Sequence, residues 1–511
     1  MTTPTQPEAA APAPKPPAPA PKPPAPAPKP PAPATPPAPI RQAPSDLTLT
    51  FVDEATVRGV AAAAGDAEWL LADRLAGLEA FAALPIETNT LYTTYVDLRN
   101  ARLAAARPYP GPASVAPGAG AAKLLPDGVA AFAEITENRV TALVLSPEAR
   151  EAGVILETLA DLRARDPELL RTLLEGGCAL PENDKLAQMT RALWSDGLLL
   201  RIPDGVRLEK PVMLRWVVGA PDTAIISRTV ISIGEDAEVS VVEEQISAAT
   251  GTAAGSGAGS ATGSAAGTAT AESQAFFAGT TEVQIGAGST LSFAGLQDLS
   301  LRQIAFQHRS AVLAKGATVR WALAQLGSRV IRSRIDNNLE GDGSTVEQAE
   351  IVFGSADQFF DLTSYTHHIG RDTTGNLLSK GALADRSRAY MKGLATIDLS
   401  AHGTDSYLGE FAMLLSRQAR SVAIPSLEID QPDCRRVAHA SSVGPIDESQ
   451  LFYLESRGLD PDEARRAIVL GYLEPVVARV PLQSAQDRLR ELLEAKWDAR
   501  IVAAPAAGAV A

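Results

Sequence analysis

The chain is short of the side chains that hold soft metals and of those that make a self-sufficient catalyst. In 511 residues there are two cysteines and five histidines. Cys178 and Cys434 cannot form a disulfide framework, and they fit a reducing compartment. They also exclude a cluster or zinc site held by four thiolates of this chain alone. Any soft-metal chemistry must borrow ligands from a neighbour. No HExxH, CxxC or Gly-x-Ser-x-Gly element is present, and without a GxxxxGK[ST] loop no nucleotide is expected on this chain. The carboxylates are too scattered to nominate an acid/base pair, so a non-enzymatic role is expected. No apolar run reaches the length of a membrane span, and the N-terminus lacks the basic start and apolar core of a secretory signal. A cytoplasmic location is the expectation. Aromatics are 5 % against 45 % hydrophobic residues, so the core must be mostly aliphatic. A net charge of -14 makes the chain a poor general binder of phosphate backbones or anionic membranes.

What is present is organised in blocks. Residues 1–45 repeat "PAPAPKP", with Lys15, Lys22 and Lys29 seven apart. Proline removes donors and favours an extended, solvated, disordered spacer. Residues 46–197 are expected to be a helical region. "DAEWLLADRLAGLEAFAALP" starts at a capping Asp66, keeps Trp69, Leu70, Leu75, Leu78 and Phe81 in helical spacing, and ends at Pro85. "SPEAREAGVILETLADLRARDPELLRTLLEG" and "PENDKLAQMTRALWSDG" read as further helices.

At Leu198 the period changes to 2 and short strand runs recur behind small-residue turns. Gly286, Gly316 and Gly343 are 30 and 27 residues apart. That irregular period suits a β-solenoid core over 198–443, although a β-sandwich would show the same strands. Residues 247–273 form a Gly/Ser/Ala/Thr insert expected to be a flexible surface loop. A helical region is expected over 444–495, where Asp460, Pro461 and Glu463 form a capping box with proline at the first helical position. Residues 496–511 read as a frayed tail.

His439 is the first candidate for chemistry. Small Ala438 and Ala440 flank it, and neutral imidazole is a good ligand for iron or zinc. Cys434 lies five residues earlier. An odd separation puts the two on opposite faces of a straight strand, so a shared ion would need a bend or bulge, which Pro432 could supply. Cys434 therefore reads as structural, and Cys178, at a helix end, as incidental. His367 and His368 are adjacent and diverge. His402 reads as a surface turn residue and His308 as an exposed strand position.

The stretch "AHASSVGPIDESQLFYLESRGLDPDEARRAIVLGYLEPVV" resembles the C-terminal signature of the SufB/SufD family of iron–sulfur cluster assembly proteins. Upstream, "ALWSDGLLLRIPDGVRLEKPV", "THHIGRDTTGNLLSKGALADRSRAYMKGL" and "ARSVAIPSLEID" are similar to its solenoid entry and later coils. "AEWLLADRLAGLEAFAALP" and "YTTYVDLRN" are similar to its N-terminal region. The resemblance covers roughly residues 50–480. It implies a right-handed parallel β-helix flanked by helical regions, in a SufB–SufD heterodimer that carries the SufC ATPase and receives sulfur from a cysteine desulfurase system. Ala419 stands where SufB-type chains place an acceptor cysteine, and Ala438 and Ala440 stand where they place glutamates. Both departures point to a SufD-like subunit. The family's histidine then maps onto His439, a ligand for iron or a transient cluster shared with the partner. The segment with Phe452, Tyr453, Arg457 and Gly458 becomes a docking element for the ATPase. A SufB-like scaffold accepting sulfur on Cys434, a homodimer of the isolated chain, and a β-solenoid adhesin or carbohydrate-active protein are the alternatives.

Overall fold

The computed structural model describes residues 47–176, 180–248, 273–480 and 483–503. The Pro-rich stretch, Cys178, nearly all of the small-residue insert and residues 504–511 lie outside them.

The alternating segments wind into a parallel β-solenoid, not a sandwich. Successive strands are dealt to two facing sheets, so each strand is hydrogen-bonded to the next strand but one along the chain. Gln303–Leu313, Val330–Leu339, Phe359–His368, Arg388–Ile397 and Arg420–Ile429 are neighbours in the first sheet. Thr318–Gln325, Thr345–Gly354, Thr374–Leu383, Thr404–Leu414 and Cys434–Pro445 are neighbours in the second. Ala275 lies beside Gln303, Val319 beside Val346 and Thr374 beside Asp405, which makes coils of 28, 27 and 31 residues. Ile225 lies beside Phe277, 52 residues on; subtracting residues 249–272 (24 residues) leaves an ordinary coil of 28. At one corner Gly316, Gly343 and Gly403 take left-handed φ of 66°, 71° and 74°, which lets the backbone turn without a Cβ clash. Their amides donate to Asp342, Arg371 and Asp433 on the next coil.

Three layers of burial follow from the period of 2. Inward residues such as Val319, Trp321, Ile331, Val346, Phe360 and Met391 fill the interior. Outward apolar residues of the first sheet, including Ile226, Phe276, Phe306 and Phe359, are covered by the N-terminal region through Val57, Leu70, Leu162 and Met189. Outward residues of the second sheet, including Leu296, Ala322, Ile351 and Phe353, are covered by C-terminal Val469, Leu473, Leu489, Leu493 and Trp497. The Lys496 ammonium reaches under these helices to the carbonyls of Leu326 and Phe353 and, at 2.9 Å, to Gln358 Oε1.

The N-terminal region is less helical than its sequence suggests. Helix Glu68–Ala83 is present, but Ala67 is its cap. Asp66 is instead fully buried between Arg74 (2.6 Å) and Arg163 (2.9 Å). "AFAEIT" and "RVTALVL" form an antiparallel pair that extends the second sheet. The long second run breaks into helix Pro147–Glu151, strand Ile155–Thr158 and helices Leu159–Arg165 and Pro167–Gly176. At the other end the last solenoid strand runs on to Pro445. The final helix, Gln483–Ala503, passes through the segment read as frayed, because Trp497 seals the packing against Phe353. Asp460, Pro461 and Glu463 form the expected capping box, with Asp460 accepting from the amides of Asp462 (2.8 Å) and Glu463 (3.0 Å).

Not all of the interior is apolar. Glu350 points inward, 1 % exposed, with Gln325 and Ser333 beside it and Arg309 the nearest cation. Burial pushes its pKa from 4.5 up to about 7.

Two outcomes are expected from unfolding by urea. Trp497→Ala should remove about 3–5 kcal/mol, as large aromatic truncations in a packed core do. Between pH 4.5 and 7 the unfolded chain ionises Glu350 while the folded chain keeps its proton, so this residue makes stability fall as pH rises. Glu350→Gln should flatten that decline by up to about 1.4 kcal/mol per pH unit, and an unchanged slope would refute the assignment.

Candidate functional site

The two ends of the solenoid are built differently. At the N-terminal end the first sheet closes on the four-residue strand Ile155–Thr158, antiparallel to Asp196–Ile202, and the second on the hairpin of Ala131–Thr136 and Arg139–Leu145. Short or reversed edge strands of this kind discourage further pairing. At the C-terminal end the outermost strands are long, Arg420–Ile429 and Cys434–Pro445, and among the described residues each is paired on one side only.

Register identifies what that open end presents. Leu408 and Ala412 belong to the interior core, and their partners on the last strand are His439 and Val443. Ala389 and Met391 are interior too, and their partners are Ser421 and Ala423. Stacked residues keep the same face, so His439 stands on the interior face of the terminal coil, where no further coil covers it, and it is exposed. Ile429 and Val443 beside this opening are 48 % and 39 % exposed.

Cys434 is also placed by the register. Thr404 pairs with Cys434 but Asp405 pairs with Arg436, so Arg435 is an extra residue in a bulge. The bulge restores parity: Cys434 and His439 lie beside Thr404 and Leu408, four positions apart on one face. Four positions still separate them by about 13 Å along the strand, beyond the reach of one ion. The half-buried thiol donates to the Gln431 carbonyl at 3.1 Å, and partial burial together with the Asp433 carboxylate pushes its pKa up. Those surroundings disfavour the thiolate that attack or ligation requires.

One residue that sequence reasoning passed over belongs to this end. Glu410 is on the interior face one coil in, stacked on Ser441, and 2 % exposed. Its carboxyl crosses the interior; a Cβ on Gly393 of the first sheet would come within 2.9 Å of Oε1. Burial raises its pKa to about 8, with the Ile424 N–H opposing and Glu350 adding to the rise. Gly393 is held from outside as well, because the buried Tyr92 hydroxyl donates to its carbonyl at 2.9 Å. Only the alternation of "TDSYLGEFAML" could have shown Glu410 to be inward, and the inference needs the strand register.

The C-terminal hairpin follows directly. Helix Glu448–Ser456 has no buried residue. Phe452 and Tyr453 are 73 % and 57 % exposed, so neither packs the hairpin. The Arg457 guanidinium lies over the Tyr453 ring at 5.2 Å, and Gly458 turns the chain with φ of 99°. This surface and His439 are separate features, linked by the loop after Pro445.

The other histidines serve structure. His308 is buried, contrary to its reading as exposed, and its Nε2 is 2.7 Å from Asp336 under the N-terminal region. His367 pairs with Asp398 at 2.9 Å while His368 points inward to Thr373 and Ser406. His402 is a turn residue bonded to Asp433 at 3.2 Å. Among the described residues no group of three or more His, Cys, Asp or Glu side chains is arranged to hold a metal, and no helix is long and apolar enough to cross a membrane.

Comparison with known proteins gives the family. Residues 216–472, half of the chain, match the family model described as "SUF system FeS cluster assembly, SufBD core domain". The "Iron-sulfur cluster assembly protein SufD" of Bacillus subtilis is 27 % identical over 356 residues, 69 % of this chain and 76 % of that protein. The "Iron-sulfur cluster assembly protein SufB" of the same organism is 24 % identical over 310 residues, 61 % of this chain and 62 % of that protein. An "Iron-sulfur cluster assembly SufBD family protein" of Staphylococcus epidermidis is 23 % identical over 354 residues, covering 69 % and 71 %. The chain therefore belongs to the SufB/SufD family of iron–sulfur cluster assembly proteins and is more like the SufD than the SufB of Bacillus subtilis.

Proposed function

We propose that this chain is a SufD-like, non-catalytic subunit of a cytoplasmic iron–sulfur scaffold, supplying an imidazole and two docking surfaces to chemistry completed by neighbouring chains. The uncovered terminal coil carries this reading. Two long strands with one free edge each, beside exposed Ile429 and Val443, suit strand addition by a second solenoid of the SufB type. His439 then sits at the junction, where iron or a nascent cluster is cargo shared with the partner's thiolates. The electron-pair donor is Nδ1 or Nε2 of the neutral ring.

The exposed pair Phe452 and Tyr453, with Arg457 stacked on the latter, has the make-up of an interface hot spot and suits docking of a SufC-like ATPase. Sulfur reaches the complex from a cysteine desulfurase system through the partner. The raised pKa of Cys434 argues against the alternative in which this thiol accepts sulfur.

Co-expression with a SufB-like chain and the ATPase tests the reading. The three should co-purify, and anaerobic reconstitution of the complex carrying His439→Ala should lose most of its cluster absorption with the subunits still associated. Undiminished cluster yield would remove His439 from the site. Phe452→Ala with Tyr453→Ala should weaken ATPase binding by at least about 2 kcal/mol while leaving the melting temperature unchanged, since neither ring packs the fold.

A further inference from the structure

The coil beneath the terminal one holds a second donor that the reading above does not use. Glu410 is almost fully buried, and among the described residues its Oε2 has no hydrogen-bond partner. A buried polar atom left without a partner carries a desolvation penalty, and this residue lies one coil in from the open end. The residue stacked on Glu410 toward the opening is Ser441, a small and exposed side chain. His439 pairs with Leu408, two positions from Glu410, and both point to the interior face. One strand spacing and a two-residue offset put the two Cα atoms about 8 Å apart, within the joint reach of a glutamate and an imidazole on one ion. On the sheet opposite, Gly393 faces both the Leu408 side chain, at 2.5 and 2.8 Å from where a Cβ would stand, and the Glu410 carboxyl, at 2.9 Å.

We propose that Glu410 is a second metal-binding residue of this chain and, with His439, forms a half-site for ferrous iron at the open end of the solenoid. The inference rests on the cargo-site reading of His439. One imidazole and one carboxylate suit divalent iron, being borderline and hard donors. The remaining positions belong to water before assembly and to the partner's ligands after it, since no group of three such side chains is found among the described residues. A bound cation would give the orphaned oxygen the partner that it lacks among the described residues. Glycine at position 393 acquires a role in this site: it leaves room for the carboxyl to lie across the axis.

The test is an anaerobic titration of the full chain, co-purified with its SufB-like partner, with Co(II) as the probe for ferrous iron, following the visible ligand-field bands. Glu410→Gln keeps the shape of the side chain and should weaken Co(II) binding at least about tenfold and alter the band pattern. Glu410→Asp keeps the charge but shortens the reach and should weaken it too; it serves if the Gln variant fails to fold. His439→Ala should weaken binding at least as much. If both Glu410 variants bind Co(II) like the parent while His439→Ala does not, Glu410 is no ligand and the His439 reading stands. If neither position affects binding, the cargo-site reading falls and takes this proposal with it. If only Glu410 matters, the shared half-site is refuted.

Discussion

In a stacked coil every strand gives its amides and carbonyls to the strands on either side, and the last coil has no neighbour on one side. The rest of this molecule is arranged around that requirement. At the N-terminal end the coil is shut by short and antiparallel strands. At the C-terminal end strands of 10 and 12 residues are left unshut. A protein that needed only to be stable would treat both ends alike. On the proposed reading the unequal treatment makes the C-terminal end a place for another chain, and His439 and Glu410 stand on its last two coils.

The open end is firm because it is braced from its flanks. The segment after helix Glu68–Ala83 runs along the outer face of the first sheet and touches successive coils. Glu87 meets Arg332 at 3.0 Å and Lys392 at 3.4 Å; Asp97 meets Arg388 at 2.6 Å; Tyr92 meets Gly393. Buried ion pairs of this kind gain little net stability over apolar packing, but they fix geometry, because each partner left alone would be a buried charge. The second sheet is held in the same way by the C-terminal helices, with Lys380 donating to the Tyr472 carbonyl at 2.8 Å. The hairpin that carries Phe452 and Tyr453 is thus an extension of the element that clamps the second sheet. A pull on it would be felt by the coils, as the proposed docking of an ATPase on that hairpin requires.

Much of this was legible in the sequence where a local rule decides the structure. The change of period at Leu198, Gly316 and Gly343 at the coil corner and the capping box at Asp460 are each set within a few residues and are found in place, whereas Gly286 of the same series lies two residues before the corner position, which Gly288 takes. The failures share a cause. Asp66 looked like a cap because it precedes a helix, but Arg74 and Arg163 claim it through tertiary contacts. "AFAEITENRVTALVL" alternates as a strand pair should, but it lies between helical runs and pairs with strands far along the chain. His308 looked exposed because its Asp336 partner is one coil away. The site divides along the same line. His439 is nominated by a local signature, whereas the placement of Glu410 and the bulge at Arg435 depend on register between coils, which no window of sequence contains.

The bulge also settles what a thiol-poor chain can contribute. Had Cys434 and His439 been brought together, the chain would own a soft chelate and could retain a metal alone. Instead the extra residue turns Cys434 to the same face while leaving it about 13 Å away, with its proton held more tightly than usual. What remains near the opening is an imidazole and a carboxyl, donors that hold iron loosely compared with thiolates. On the proposed reading, a subunit that must pass its cargo on benefits from weak ligands, because the equilibrium then favours whichever neighbour brings sulfur. On that reading the scarcity of cysteine in this chain and the openness of its last coil serve one requirement: the site is to be completed, and emptied, from outside.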